Sequence, residues 1–534
     1  MQLSFLDERT EVQKIREQIK TPGMSASPTA VSSHPRLSVQ AFWLTFSKLI
    51  AALLNIALPI LVVRMMSQTE YGLFRQAFLF TATATNVAAM GLGMSAFYFA
   101  PRYPDRGGQI ALNILIYNAI AGWVPLVVLA FYPQILRLLF RTNELIPLAF
   151  LLGILVFLTL MASLVQQLPS ALQDVRYSTI FIVGTQLVRS VVMVVAVLLF
   201  HTVKSLIIAA VLSQLVNVAT LYWYLDKRFP KFWTRFDRQF FREQLAYALP
   251  YGAVGLVWVI QKDLDNYFVS ATLGPRDYAI YAIGWLEVPL ITLFLESVVQ
   301  VLTVRVSKLQ HEGRKDEILR ITAAATARLA AVQMPLYMLL LVAGHDLIVL
   351  FYTRAYEASA RIFSVSITLL LFTLFLVDPI GRAYKELRIK GLAIKIGAFV
   401  VLFSLLIPVI RHFGMMGAAV IAVVVQIGER LGQGWLAART VNAKLKDAKL
   451  YRDSFKIAGL TAASGLSAYF IRNLISPPLL IPRILAVGVA FVVIYVPTFY
   501  LMRLPGWEYI SKERIQSLVR NQMWRMKRMT RLAV

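Results

Sequence analysis

Stretches of about 20 mostly apolar residues recur fourteen times along this chain, and that recurrence limits the fold more than any other feature. Hydrocarbon offers no hydrogen bonds to a backbone, so a segment that crosses it must satisfy its own peptide groups as a helix. The runs fall near 40–64, 72–98, 108–130, 146–166, 178–200, 205–225, 246–270, 278–303, 324–351, 358–381, 390–411, 415–438, 456–474 and 481–502. They are numbered below as spans 1–14. The links are short, so no globular domain of any size is inserted. A soluble domain cannot hide a chain that is 58% hydrophobic. The expected fold is therefore an all-α polytopic membrane protein of about 14 transmembrane helices.

Charge then gives the orientation. The chain carries a net charge of +26. The excess sits in alternate links, with Lys227, Arg228, Lys231, Arg235, Arg238 and Arg242 after span 6 as one example. Arg305, Lys308, Arg314, Lys315 and Arg320 follow span 8. The intervening links carry one or two cations each, such as Arg276, Arg354 and Arg411. By the positive-inside rule both termini are expected in the cytoplasm, which agrees with an even number of spans. No nucleic-acid motif accompanies the charge, so no nucleic-acid partner is expected. There is no cysteine, and the histidines show no metal-ligand spacing; no metal or catalytic set is expected.

Short segments repeat. Ser67–Phe74, after span 1, and Gly274–Tyr281, after span 7, are both turns with an acidic residue and a tyrosine leading into the next helix, 207 residues apart (67 to 274). Ala171–Arg176 matches Ala383–Arg388, 212 residues on (171 to 383), and Gln214 and Gln426 keep that spacing (214 to 426). Spans 1–6 and 7–12 thus read as two copies of a six-helix unit. Six is even, so the copies share one orientation, with an axis along the membrane normal and a cavity between them. The organisation that follows is a cytoplasmic tail (1–37), a first lobe (38–225), a basic cytoplasmic linker (226–245), a second lobe (246–440), spans 13 and 14 (441–503) and a basic tail (504–534). A short helix is expected at Glu11–Lys20. Trp507, Tyr509, Ile510 and Trp524, interleaved with cations, suggest a helix on the cytoplasmic membrane surface.

The Ser67–Phe74 turn, the run from Asp265-Asn266-Tyr267-Phe268 through Leu273-Gly274 to Tyr281, and the 6+6+2 plan resemble the multidrug/oligosaccharidyl-lipid/polysaccharide exporter (MOP) superfamily. Within it they resemble the polysaccharide-biosynthesis, O-antigen-type flippases. The family has Gly-Tyr where this chain has Tyr278-Ala279. The resemblance implies a bacterial inner-membrane transporter that moves an undecaprenyl-pyrophosphate-linked oligosaccharide from the cytoplasmic to the periplasmic leaflet by alternating access. Membrane lipids, a polysaccharide polymerase and glycosyltransferases are its implied partners. A cation-coupled drug exporter of the same superfamily, or a membrane polymerase or ligase using the same lipids, are the alternatives. The short links argue against such an enzyme.

Polar groups inside a bilayer are costly, so each is a candidate for function. Arg189, mid-span 5, is the strongest cation for an anionic diphosphate, through the planar fork of its guanidinium. Lys48, Arg75, Lys262, Asn86 and Trp258 are further candidates for a substrate cavity. Span 7 holds the densest polar group: Lys262, Asp265 and Asn266 share a face by i, i+3, i+4 spacing, beside Asp263. Asp265, Asp263, Asn266 and Glu296 are candidates for coupling to H⁺ or Na⁺; no other cofactor is expected. Glu296 is also a candidate to pair with a cation across the lobe interface. Arg328, Asp378 and Lys395 lie where a cytoplasmic gate would close. Asn55 and Asn118 are expected to bond between helices.

Overall fold

The structure, a computed structural model, describes residues 37–286, 289–476 and 479–505. The chain divides into two compact units, Met1–Thr45 and Phe46–Val534. Of the first, only the start of the span 1 helix falls among the described residues. The expected helix at Glu11–Lys20 and the surface helix after Gly506 lie outside them. The rest of this account concerns the second unit.

The fourteen expected spans fall on helical segments, with spans 2, 4, 8 and 10 each divided between more than one and residues 287–288 of span 8 outside the described residues. By length and apolarity alone eight helices among the described residues could cross a membrane, or ten when two sharply bent pairs each count as one span. The difference of four has three causes. Helix Lys385–Thr440 carries spans 11 and 12 and is counted once, although Gly414 (φ 60°) breaks it. Spans 7 and 13 carry more polar character than the rest. Span 8 lies partly outside the described residues. Helices start where links supply acceptors for their free N–H groups. Ser67 accepts from Glu70, Thr202 from Ser205, and Asp237 from both Gln239 and Phe240.

Several spans differ in detail from a straight rod. Span 2 is Gln68–Ala89 followed, after Met90 and Gly91 in the left-handed region, by a segment bent by 57°. Span 7 begins at Arg238 rather than near 246, so half of the expected basic linker is helix. Its Phe240, with Phe232 from the preceding turn, is buried against the first lobe. Gly274 (φ 84°) then turns the chain from span 7 directly into span 8. A side chain there would be strained, and Pro275 presets the next helical turn. Span 9 is extended to 38 residues, Lys315–Tyr352.

The duplication is visible in the helix boundaries. Span 6 is Val203–Arg228, and span 12 runs from 415 to 440, so both ends are 212 residues apart (203 to 415, 228 to 440). The single-turn helices Ile146–Leu148 and Arg354–Tyr356, which lead into spans 4 and 10, are 208 apart (146 to 354). The two-lobed, all-helical plan is therefore as expected.

The lobes meet along spans 2 and 7, which pack antiparallel. Gly72 lies against Pro275, Gln76 bonds Ser270, Thr83 faces Asp263, and Gly252 lies against Met90. One apolar core crosses the junction, joining Tyr71, Ala77 and Phe80 of span 2 to Ile280, Tyr352 and Tyr356 of the second lobe. Spans 13 and 14, Arg452–Leu474 and Leu480–Leu501, pack on span 9. Asp346 of span 9 is fully buried there and receives Arg472 at 2.8 and 3.1 Å, with Arg483 at 3.5 Å.

Candidate functional site

The seam between spans 2 and 7 is polar at intervals, and the intervals follow from helical geometry. Residues 72, 76, 83 and 90 lie three or four residues apart, or whole turns apart, so one face of span 2 meets one face of span 7. On it Gln76 donates to Ser270 Oγ at 2.7 Å, with both side chains buried. Thr83 Oγ1 lies 3.4 Å from Asp263 Oδ2. Two residues on, Asp265 is buried and accepts from the Tyr281 hydroxyl of span 8 at 2.5 Å. Span 7 thus presents two carboxylates to different surroundings, Asp263 towards the first lobe and Asp265 into the second.

Arg75 lies beside this seam. Tyr71, Tyr278, Tyr352 and the Asp263 carboxylate act on its guanidinium. Tyr71 and Tyr278 are the matching tyrosines of the two repeats, and both are buried. The Nε of Arg75 is buried with no hydrogen-bond partner among the described residues. Snorkelling to a headgroup, the usual fate of an arginine near a helix end, does not account for a guanidinium held this way.

Arg189 sits deep in span 5. Its guanidinium carbon lies 5.5 Å from the centroid of Phe78 of span 2. Among the described residues no carboxylate pairs with it. A ring face returns only part of what a partly buried guanidinium loses. One turn away, Gln186 donates to Asn55 of span 1 at 2.8 Å. Asn118 likewise donates to the Leu160 carbonyl at 2.8 Å, so both asparagines tie helices together as expected.

In the second lobe the charged side chains largely neutralise one another. Glu429 of span 12 accepts from Gln261 of span 7 at 2.8 Å and lies 3.7 Å from Lys395 of span 11. Arg430 pairs with Asp378 of span 10 at 2.9 Å. Two of the three candidate gate residues are thus held inside the lobe by Glu429 and Arg430. The third, Arg328, is exposed and separate from them. Lys48, Asn86 and Lys262 are exposed on spans 1, 2 and 7, and Asn266 is partly buried. Glu296 is exposed and, among the described residues, has no cation partner, which corrects the expected pairing across the lobes. Its position on an open face of span 8 explains why. The side chain of Trp258 lies outside the described residues.

Some partners were not foreseen. Tyr281 belongs to the second turn motif; its spacing of sixteen from Asp265 spans the Gly274 turn, so no helical periodicity connects them. At the end of the bundle where spans 1 and 2 are linked, Arg64 donates to the carbonyls of Phe351 (3.0 Å) and Leu350 at the end of span 9. Beside it Gln68 donates to the Ala355 carbonyl at 2.6 Å and accepts from Arg276 at 3.0 Å. These contacts join the lobes at that end. Backbone carbonyls carry most of them, and carbonyls leave no trace in a pattern of side chains.

Residues 39–310, just over half of the chain, match the family described as polysaccharide biosynthesis protein. No curated protein matches the sequence. Among solved structures, the fold is similar to that of a lipid II flippase MurJ in an inward closed conformation, with a TM-score of 0.60 and 14% identity over 87% of this chain and 99% of that one. It is also similar to an outward-facing multidrug resistance MATE family transporter of the MOP superfamily, with a TM-score of 0.52 and 17% identity over 76% and 95% of the two chains. A MOP superfamily transporter from Pyrococcus furiosus gives a TM-score of 0.51 and 16% identity over 76% and 95%. The resemblance to the polysaccharide-biosynthesis family drawn from the turn motifs and the 6+6+2 plan is thereby borne out, and the fold is similar to that of these transporters.

Proposed function

The chain belongs to the polysaccharide biosynthesis protein family, and from that premise we propose that it flips an undecaprenyl-pyrophosphate-linked oligosaccharide from the cytoplasmic to the periplasmic leaflet by alternating access. The observation that carries this reading is the pair of partly buried arginines, Arg75 beside the lobe seam and Arg189 facing span 2: the Nε of Arg75 has no hydrogen-bond partner, and Arg189 has no carboxylate beside it, among the described residues. A guanidinium short of partners inside the bilayer is costly, and an anionic diphosphate is the ligand that would relieve the cost. Exposed Lys48, Asn86 and Lys262 extend the polar surface towards a bulky sugar. The apolar tail would remain in lipid.

In this reading the basic end of the bundle faces the cytoplasm of a bacterial inner membrane, where glycosyltransferases supply the cargo. The opposite end, joined by Arg64 and Gln68, faces the periplasm, where a polymerase consumes it. Asp263 and Asp265 are the proposed site of H⁺ or Na⁺ coupling, because a carboxylate at the seam can exchange a cation as the lobes separate. The test is reconstitution of the full chain in liposomes with fluorescent undecaprenyl-pyrophosphate oligosaccharide. Protein-dependent movement of label to the far leaflet is expected; its absence in folded, inserted protein overturns the proposal.

A further inference from the structure

A second site lies at the basic end of the first lobe, away from the seam. The last turns of spans 2, 4 and 6 surround a cavity of about 620 Å³. Leu172 and Phe229 give it an apolar floor, and Gln173, Asp105, Arg228 and Arg235 line it. Its shape is built in. Arg228 ends the span 6 helix, and Arg235 follows a single turn, Phe232–Thr234, anchored by the buried Phe232. A methyl group on Gly107 would fall 2.4 Å from the Phe229 ring, so the ring is wedged in place. Among the described residues neither arginine forms an ion pair, and Asp105 pairs with neither of them, although Arg106 next door pairs with Asp237 at 3.7 Å. Two unpaired cations and one unpaired carboxylate therefore share one opening.

The surroundings indicate a lipid rather than a solute. Trp233 and Phe236 are 56% and 48% exposed beside the cavity, as amphipathic rings are at headgroup depth. Lys227 lies 5.1 Å from the ring of Trp223, and the outer face of span 6 above it is apolar, with Leu212, Leu215 and Val216 exposed. An acyl chain along that face would bring its headgroup to the cavity.

We propose that this cavity binds a phospholipid of the cytoplasmic leaflet. Its phosphate is held by Arg228 and Arg235, and Asp105 accepts a hydrogen bond from a headgroup N–H or O–H. The inference uses the orientation given above but not the cargo. Its test contains no oligosaccharide, so it fails or stands separately from the flippase reading. Full-length protein in detergent is titrated with dioctanoyl phosphatidylethanolamine while its melting temperature is followed. A saturable rise is expected, with several-fold weaker binding of dioctanoyl phosphatidylcholine, whose headgroup offers no donor to Asp105. Inorganic phosphate at equal concentration should produce no rise. The double variant Arg228→Ala/Arg235→Ala should weaken binding at least tenfold at an unchanged lipid-free melting temperature. Arg228→Gln/Arg235→Gln keeps the side-chain length and replaces it if the alanine variant unfolds. Unweakened binding in the double variant, an equal response to inorganic phosphate, or equal binding of phosphatidylcholine overturns the site as assigned.

Discussion

Gly72 of span 2 packs so closely on Pro275, at the turn between spans 7 and 8, that a methyl group in its place would fall 1.8 Å from the Pro275 carbonyl oxygen. At the other end of the same seam, Gly252 stands in the same relation to the Met90 carbonyl, at 1.9 Å. Backbone cannot yield as a flexible side chain can, so the two glycines fix how closely the lobes approach at both ends.

Gly72→Ala and Gly252→Ala should therefore each destabilise this conformation by about 1–3 kcal/mol, read as a fall in melting temperature of the detergent-solubilised protein. Gly255 has nothing within 4 Å of a built Cβ, so Gly255→Ala is the control. It should be neutral or stabilise by up to about 1 kcal/mol through helix propensity. Equal behaviour of the three variants would show that the seam does not limit the lobe spacing.

The Asp265–Tyr281 bond gives a second expectation. Tyr281→Phe leaves a buried carboxylate without its hydroxyl donor, at a cost of about 1–3 kcal/mol. Asp265→Asn removes the charge that makes the donor valuable, so adding Tyr281→Phe to it should cost less than it does alone. Melting temperatures of the four proteins in that cycle measure the coupling. Additive effects would mean that the 2.5 Å contact contributes nothing specific.

These two cases mark what the amino-acid pattern can carry. Apolar length placed the expected spans on helical segments, because burial in hydrocarbon is written residue by residue. The repeat was legible because turns keep their residues, and the boundaries of spans 6 and 12 keep the spacing of Gln214 and Gln426. Arg189 stood out because an arginine in an apolar run is costly, whether it serves a ligand or a structural ion pair. The partners were not legible. Asp265 and Lys262 share a helical face on paper, yet the structure gives Asp265 to Tyr281 on the next span and leaves Lys262 exposed. Gln261 and Lys395 find Glu429 across two other helices, and no periodicity within one helix encodes such a meeting.

Asp346 supplies a third expectation, concerning spans 13 and 14. Its carboxylate is wholly buried and is the acceptor for Arg472, with Arg483 close by. Asp346→Asn keeps the shape but leaves two largely buried guanidinium groups without their counter-charge. Breaking one side of a buried pair in this way costs about 3–5 kcal/mol. A lower melting temperature is expected, with the loss largest in harsher detergents, which compete for the released helices. Arg472→Ala should cost less, because Arg483 and His345 still reach the carboxylate. If Asp346→Asn melts with the parent protein, the pair does not hold spans 13 and 14 to the second lobe.

The last expectation concerns Arg189, where stability and transport should move in opposite directions. A structural arginine that is removed leaves a partner stranded and the protein less stable. Arg189 has Phe78 at 5.5 Å and, among the described residues, no acid. Removing it takes away a partly buried charge with no acid beside it, so Arg189→Met, which keeps the length and packing of the stem, should melt at or above the parent temperature. If the guanidinium serves the cargo's diphosphate, the same variant should lose liposome transport by at least tenfold. Arg189→Lys keeps the charge but not the planar fork that matches a phosphate, so intermediate transport is expected. A cation needed only for folding would give the reverse: a lower melting temperature in Arg189→Met, with transport per folded molecule unchanged. Full transport by the well-folded methionine variant would remove Arg189 from the cargo path and leave Arg75 as the remaining partly buried cation of the proposed site.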